Sequence, residues 1–192
     1  MTENPLERFQ EWFREAEQVG VEVPEVMTLA TADAGGTPSA RMLLLKSADE
    51  DGFVFYSGYA SRKGGELDEN PRAALVFYWR PLGKQIRVEG RVERVSEAES
   101  AAYFATRPRG SQLAAWASQQ SRPLASREEL ERRYGELERV YEGREVPLPP
   151  HWGGYRLRPE AIEFWQHREN RLHDRIRYTR AREGWRHELL SP

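Results

Sequence analysis

Four short segments collect hydrogen-bond donors and cations at spacings suited to anionic ligands. In Arg41-Met42-Leu43-Leu44-Leu45-Lys46, apolar residues on both faces of a strand are bracketed by two cations, where a buried strand ordinarily ends in neutral turn residues. Two solvated cations closing the strand fit the same pattern. Tyr56-Ser57 followed by Ser61-Arg62-Lys63-Gly64-Gly65 brings hydroxyls to a helix start, where free backbone N–H groups meet an Arg and a Lys. Such a helix end attracts phosphate; an ordinary helix cap uses the same residues, and the Gly-x4-Gly-Lys spacing of a P-loop is missing. Tyr103-x3-Arg107 places both side chains on one helical face. Pro108 ends that helix, so Ser111 is expected to cap the next one; a corner between helices with a solvent-facing arginine is the competing reading. In Trp165-Gln166 and Arg171-Leu172-His173-Asp174-Arg175, an extended backbone would send Arg171, His173 and Arg175 to one face. Three cationic groups there repel one another unless an anion sits among them.

Other chemistries find no support. His151, His167, His173 and His187 lack metal-ligand spacing, no Gly-x-Ser-x-Gly elbow is present, and no pair of acids stands out. Zero cysteines exclude disulfides, Cys-ligated zinc, iron–sulfur clusters and a thiol nucleophile, and no metal site is expected. Two phosphate sites with interleaved aromatics point instead to a phosphorylated cofactor and a phosphorylated small substrate, with the cofactor carrying the reaction. The net charge of −2 hides this arrangement. Residues 1–25 hold seven acids and two arginines, whereas residues 165–186 hold seven arginines and three acids. A sequence pI near 6.2 argues against nucleic acid as the partner. The N-terminal MTENPLERF has no apolar core, and no run approaches the ~18 apolar residues of a membrane span. Neither export nor insertion is expected, and the missing cysteines fit a reducing, cytoplasmic setting.

The elements that must position these groups are short strands with helices between them. At 192 residues the chain can bury about 70% of its surface as one domain. Asn4, Pro5 and Glu7 open a helix carrying Leu6, Phe9, Trp12, Phe13 and Ala16 at helical spacing, stopped by Gly20. Residues 26–33, 39–47 and 53–57 read as three successive antiparallel strands, 73–80 as a fourth, and 85–95 as a fifth with strict alternation. A short helix starts at the Ser61 cap. Helices are expected at 96–107, 111–118 and 127–141, the last capped by Ser126, followed by a Pro- and Gly-rich linker. Tyr155 to Pro159, Ala161 to Gln166, 175–180 and 185–190 return to strand. The fold class is mainly β with peripheral helices: an antiparallel closed or split barrel over 26–95, a helical insertion over 96–145, and C-terminal strands over 146–192.

The order and spacing of RMLLLK, YSGYASRKGGEL, Gln85, YFATRPRGSQLAAWASQQS, VPLPPHWGGYRLRPEAIEFWQ and RLHDR closely resemble the pyridoxamine/pyridoxine 5′-phosphate oxidase family, from about Asn4 to the C-terminus. The resemblance implies an FMN-binding split barrel of Greek-key type, acting as a homodimer with flavin at the subunit interface. It implies that Arg41, Met42, Leu43, Leu44, Leu45 and Lys46 run alongside the flavin, with Arg41, Arg62 and Lys63 toward its phosphate and Tyr56 and Ser57 nearby. Gln85 would bond the isoalloxazine edge, and Gln120, Ser121, Trp165 and Arg175 would complete the pocket, some from the partner subunit. Lys46, Tyr103, Arg107 and Ser111 would hold the substrate phosphate, and Arg171 and His173 would press the pyridine ring against the flavin as the catalytic pair. The implied reaction oxidises pyridoxamine or pyridoxine 5′-phosphate to pyridoxal 5′-phosphate, with dioxygen giving hydrogen peroxide. Whether His173 moves a proton or only orients substrate stays open, as does closure over the substrate by the additional N-terminal segment that family members often carry. Ser57 keeps the hydroxyl where Thr is frequent.

Overall fold

The computed structural model describes residues 4–192. Helix α1 (Pro5–Gln18) begins as its sequence dictates: the Asn4 side chain accepts the Leu6 N–H, and Pro5 occupies the first turn, where no N–H is missed. Its apolar stripe is buried against the sheet. Phe9 meets Phe53 and Phe77 edge-on at 4.9 and 5.2 Å, and Glu15 pairs with the buried Lys84.

Among the described residues nine strands form one sheet: β1 (Val26–Ala32), β2 (Pro38–Leu44), β3 (Ser47–Asp49), β4 (Gly52–Gly58), β5 (Arg72–Trp79), β6 (Lys84–Arg94), β7 (Trp152–Gln166), β8 (Asp174–Arg180) and β9 (Trp185–Leu189). The order is β2-β1-β5-β6-β7-β4-β3, with β8 also on β7 and β9 on β8, and each pairing is antiparallel. Alternation puts Met27, Leu29, Leu75, Phe77, Ile86 and Phe164 into one core. Strands β2 and β3 follow each other in the chain yet lie at opposite ends of this order. The two residues between them therefore bridge the curled sheet: Leu45 N–H donates to the Glu25 carbonyl at 2.9 Å and Lys46 N–H to the Val54 carbonyl at 2.8 Å. The result is a mainly antiparallel half-barrel. Among the described residues no helix is long and apolar enough to cross a membrane.

Helix α2 (Arg62–Glu69) is capped by Ser61, whose hydroxyl accepts the Gly64 N–H. Helices α3 (Glu97–Thr106), α4 (Arg109–Ala117) and α5 (Arg127–Val140) lie between β6 and β7, with α5 capped by Ser126 as expected. A small second core of Phe104, Leu113 and Val146 joins them, with Trp152 packed on it.

Several expectations are corrected. The 39–47 strand stops at Leu44, and Met42 and Leu44 are 61% and 40% exposed, so the apolar run is not covered on both faces within one chain. Strand β4 does not pair with β2; its neighbours are β3 and β7. The two tail strands are one continuous β7, carried past Pro159 by a bulge at Glu89/Gly90. Gly153 and Gly154, read as linker, lie inside it. At that bulge a Cβ on Gly90 would collide with the Arg158 carbonyl oxygen. Gly90→Ala is expected to destabilise the fold by roughly 3 kcal/mol, on the order of 6–12 °C in Tm. Thermal unfolding followed by circular dichroism checks this, and an unchanged Tm would show that the β6–β7 ladder yields at the bulge.

Candidate active site

A cavity of about 1010 Å³ opens where the end of β2, the β4–α2 junction, the α3–α4 corner and the start of β7 converge. Lys46, Tyr56, Ser57, Tyr103, Arg107, Ser111 and Gln120 line it, together with Met42, Leu43 and Leu44. The segments singled out in sequence before residue 121 thus meet in space.

One end of the cavity is built on stacked rings. Tyr56 lies parallel to Tyr103 at 3.9 Å and to Trp152 at 5.5 Å. The Arg107 guanidinium sits 4.6 Å above the Trp152 ring, and its Nη1 is buried with no hydrogen-bond partner. Burial lowers its affinity for a proton. A buried guanidinium nitrogen left without an acceptor is costly unless a ligand supplies one. Burial also pushes the Tyr56 hydroxyl up to about 12, with Glu99 adding to the effect, so this phenol stays protonated as a donor. Ser111 is not the helix cap expected for it. Pro108 takes that position, and Ser111 lies in the first turn with its N–H on the Pro108 carbonyl, still facing the cavity.

A second cationic cluster lies at the start of α2, behind the Ser57 and Ser61 hydroxyls that line the cavity; Lys63, Arg41 and Arg62 do not line it themselves, nor does Ser121. Lys63 is buried, donates to Ser57 Oγ at 2.9 Å and Ser61 Oγ at 3.2 Å, and pairs with no carboxylate among the described residues. Burial and the neighbouring Arg41 charge, opposed by Glu66, bring its ammonium down to about 8. Ser57 and the Gly58 N–H both donate to Gln120 Oε1, at 3.1 and 3.2 Å, which ties the loop after α4 to the same point. Ser121 follows with a left-handed φ of 67°. Arg41 reaches Thr31, Ser39 and Glu66, and Arg62 bonds Glu66 at 2.8 Å.

The remaining expected residues lie elsewhere. Gln85, Trp165 and Arg175 are direct cross-strand partners on β6, β7 and β8 and so form one row across the sheet. Arg175 is held by Glu163 at 2.8 Å. None of these three, nor Arg171 or His173, lines the large cavity; His173 and Arg175 line a separate hollow of about 430 Å³. The extended stretch expected over 171–175 is instead a 3-10 turn, Glu169–Arg171, with strand beginning at Asp174. Asn170 and Arg171 take φ of 54° and 63°, a left-handed pair that breaks the alternation. The His173 ring lies 4.5 Å from that of Trp165, tilted by 47°, and its Nδ1 accepts the Arg168 N–H at 3.1 Å.

Sequence reasoning missed Glu66 and Trp152. Glu66 stands four residues after Arg62, a helical spacing that was readable; Trp152 was masked by the adjoining glycines.

A buried ammonium bonded only to hydroxyls and a buried guanidinium nitrogen lacking an acceptor are donor sets that phosphate groups complete. The half-barrel is the fold of split-barrel proteins; a pyridoxamine 5′-phosphate oxidase-related, FMN binding protein from Nostoc punctiforme shares it, with a TM-score of 0.79 at 17% identity over 100% of both chains. Residues 13–141 match the family model for pyridoxamine 5′-phosphate oxidase, and residues 152–192 the model for the pyridoxine 5′-phosphate oxidase C-terminal dimerisation region. The chain belongs to the pyridoxamine 5′-phosphate oxidase family. The pyridoxine/pyridoxamine 5′-phosphate oxidase of Rubrobacter xylanophilus is 62% identical over 98% of this chain and 87% of its own length. That of Myxococcus xanthus is 55% identical over 98% and 92%. PhzG from Burkholderia lata, solved with tetrahydrophenazine-1-carboxylic acid, has a TM-score of 0.95 at 34% identity and covers 100% of this chain and 94% of that one.

Proposed function

We propose that this chain oxidises pyridoxamine 5′-phosphate and pyridoxine 5′-phosphate to pyridoxal 5′-phosphate, with FMN as cofactor and dioxygen as acceptor. The observation that carries this is the pair of incomplete cationic ends, Lys63 and Arg107, which suit two phosphates on two molecules. A carboxylated polycycle, such as the ligand of PhzG, would leave much of the donor set at Lys46, Tyr103, Arg107 and Ser111 unused, whereas three phosphate oxygens occupy it.

Arg41, Arg62, Lys63, Ser57 and Tyr56 would hold the FMN phosphate end, residues 42–46 its flank, and Gln85, Gln120, Ser121, Trp165 and Arg175 the ring. The chemistry FMN supplies when bound is two-electron oxidation at substrate C4′ and return of the electrons to dioxygen as hydrogen peroxide; the amine also releases ammonia. The chain's own work is to anchor and orient. Two copies are needed, because Arg171 and His173 do not reach the cavity of their own chain. The sheet's outer face offers exposed Met42 and Tyr78 for that contact, and Leu172 beside it is 69% exposed. Arg171 would stabilise charge developing on the substrate. His173 receives a backbone N–H at Nδ1, so its neutral ring carries the proton on Nε2 and presents a donor. It therefore orients substrate rather than accepting a proton. His173→Gln, which preserves a distal donor, is expected to stay within about fivefold of wild-type kcat/KM, and His173→Asn, which does not reach, to lose about 30-fold. Equal losses, with disappearance of an acidic limb from the pH–rate profile, would show a proton-transfer role.

Lys63 gives a pH dependence. Its charge is present below about 8 and is lost above it, so FMN affinity falls as pH rises through that value. The dissociation constant, followed by flavin fluorescence between pH 7 and 9.5, is expected to climb by at most tenfold per pH unit. A flat profile would remove Lys63 from the phosphate site.

The function is tested by adding pyridoxamine 5′-phosphate anaerobically to the FMN-loaded protein. Bleaching of the flavin, then recovery in air with peroxide, supports the reading; a protein that cannot be loaded with FMN sinks it.

A further inference from the structure

Glu66 is an acid in the middle of a site that otherwise gathers cations. It is 6% exposed, on the same face of α2 as Arg62 and Lys63. Every group that meets its carboxylate is a donor: Thr31 Oγ1 at 2.5 Å, Ser39 Oγ at 2.6 Å, Arg41 Nη2 at 3.2 Å and Arg62 Nε at 2.8 Å. Burial alone would raise its proton affinity, but the bonds from Ser39, Thr31, Arg62 and Arg41 outweigh that and hold it at about 2, so it is charged throughout the working range. A fixed negative charge beside a phosphate site is unfavourable by simple Coulomb repulsion and needs a compensating role.

The geometry supplies one. Arg41 stands on β2 and Arg62 on α2, and Glu66 is the only group that bonds both among the described residues. Arg62 is engaged through Nε alone, which leaves its two terminal nitrogens without a partner among the described residues, although the side chain is 61% exposed and would otherwise sample many rotamers. The charge count agrees: Arg41, Arg62 and Lys63 carry three positive charges, and Glu66 leaves two, the charge of a phosphate monoester dianion. We propose that Glu66 is a positioning residue that fixes the Arg41 and Arg62 guanidiniums for the phosphate of FMN. This rests on the FMN reading above and adds a residue to it.

The test compares FMN with riboflavin, which lacks the phosphate, on flavin-free wild-type and Glu66→Gln protein by fluorescence titration. Glu66→Gln is expected to raise the FMN dissociation constant about tenfold, the worth of charge-assisted positioning, and to leave that of riboflavin within about twofold. Equal weakening of both flavins would make Glu66 a structural tie between α2 and the sheet and overturn the proposal. Unchanged or tighter FMN binding, the result of merely removing a negative charge, overturns it too. Ser39→Ala guards against a Gln variant that fails to fold. It keeps the carboxylate but removes a hydroxyl shared by Glu66 and Arg41, and is expected to weaken FMN about threefold with riboflavin unaffected. If wild-type protein binds riboflavin as tightly as FMN, the phosphate reading itself fails, a result distinct from failure of the Glu66 role.

Discussion

Arg107→Ala is expected to raise KM for pyridoxamine 5′-phosphate about 100-fold while FMN remains bound, since a charge-assisted hydrogen bond in a desolvated site contributes roughly 1.5–3 kcal/mol. Arg107 sits over the Trp152 ring with Nη1 buried and unpartnered among the described residues, so the cavity already bears the desolvation cost that a ligand oxygen would offset. Its neighbours Lys46, Tyr103 and Ser111 face the same space. Arg107→Lys should recover little, because a lysine ammonium neither stacks on the indole as a plane nor offers the fork. Steady-state kinetics with the phosphorylated substrate and with dephosphorylated pyridoxamine separates the effects. The loss should be confined to the phosphorylated one. If both substrates suffer equally, Arg107 holds the aromatic corner together and the phosphate lies elsewhere.

Much of the scaffold could be read from local pattern because local physics decided it. The Asn4-Pro5 start of α1, the alternation of β6 and the Ser126 cap of α5 depend on neighbours within a few residues. Pairing does not. Nothing in Phe53 to Ser57 says that it lies beside Tyr155, about a hundred residues on, rather than beside β2. The Arg41–Lys46 run misled for a related reason: Met42 and Leu44 are apolar on a face that one chain leaves open, so a two-faced apolar pattern did not mean burial on both faces within the chain. The turn at Asn170 and Arg171 defeated an alternation argument because two left-handed residues cancel it, and Arg gives no sign of accepting φ > 0. Gln85 was linked to Trp165 and Arg175 only through family resemblance; the β6–β7–β8 register sets the three in one row, an association no spacing in the sequence encodes.

That row also determines how the two halves of the site meet, and mixing two inactive variants tests it. Trp152 borders the cavity and Trp165 belongs to the Gln85–Arg175 row, and they lie thirteen residues apart on the single strand β7, on the order of 40 Å measured along it. On the function proposed above, a cavity containing Arg107 would therefore take Arg171 and His173 from a second copy. In an isologous dimer each subunit gives its Arg107 to one site and its Arg171 to the other. Arg107→Ala and Arg171→Ala dimers should each fall to about 1% of wild-type kcat/KM, a roughly 100-fold loss through the substrate-phosphate contact of the first and the transition-state contact of the second. After subunit exchange at equal concentrations, about half of the dimers are mixed and each mixed dimer has one site with both arginines and one with neither, so about a quarter of wild-type activity returns. Tag-selected mixed dimers should reach about half. Recovery cannot arise if both arginines come from the same chain, because every site would then lack one of them. Mixed dimers that form yet stay inactive would therefore place Arg107 and Arg171 in one subunit and require the Glu169–Arg171 turn to fold back over its own cavity.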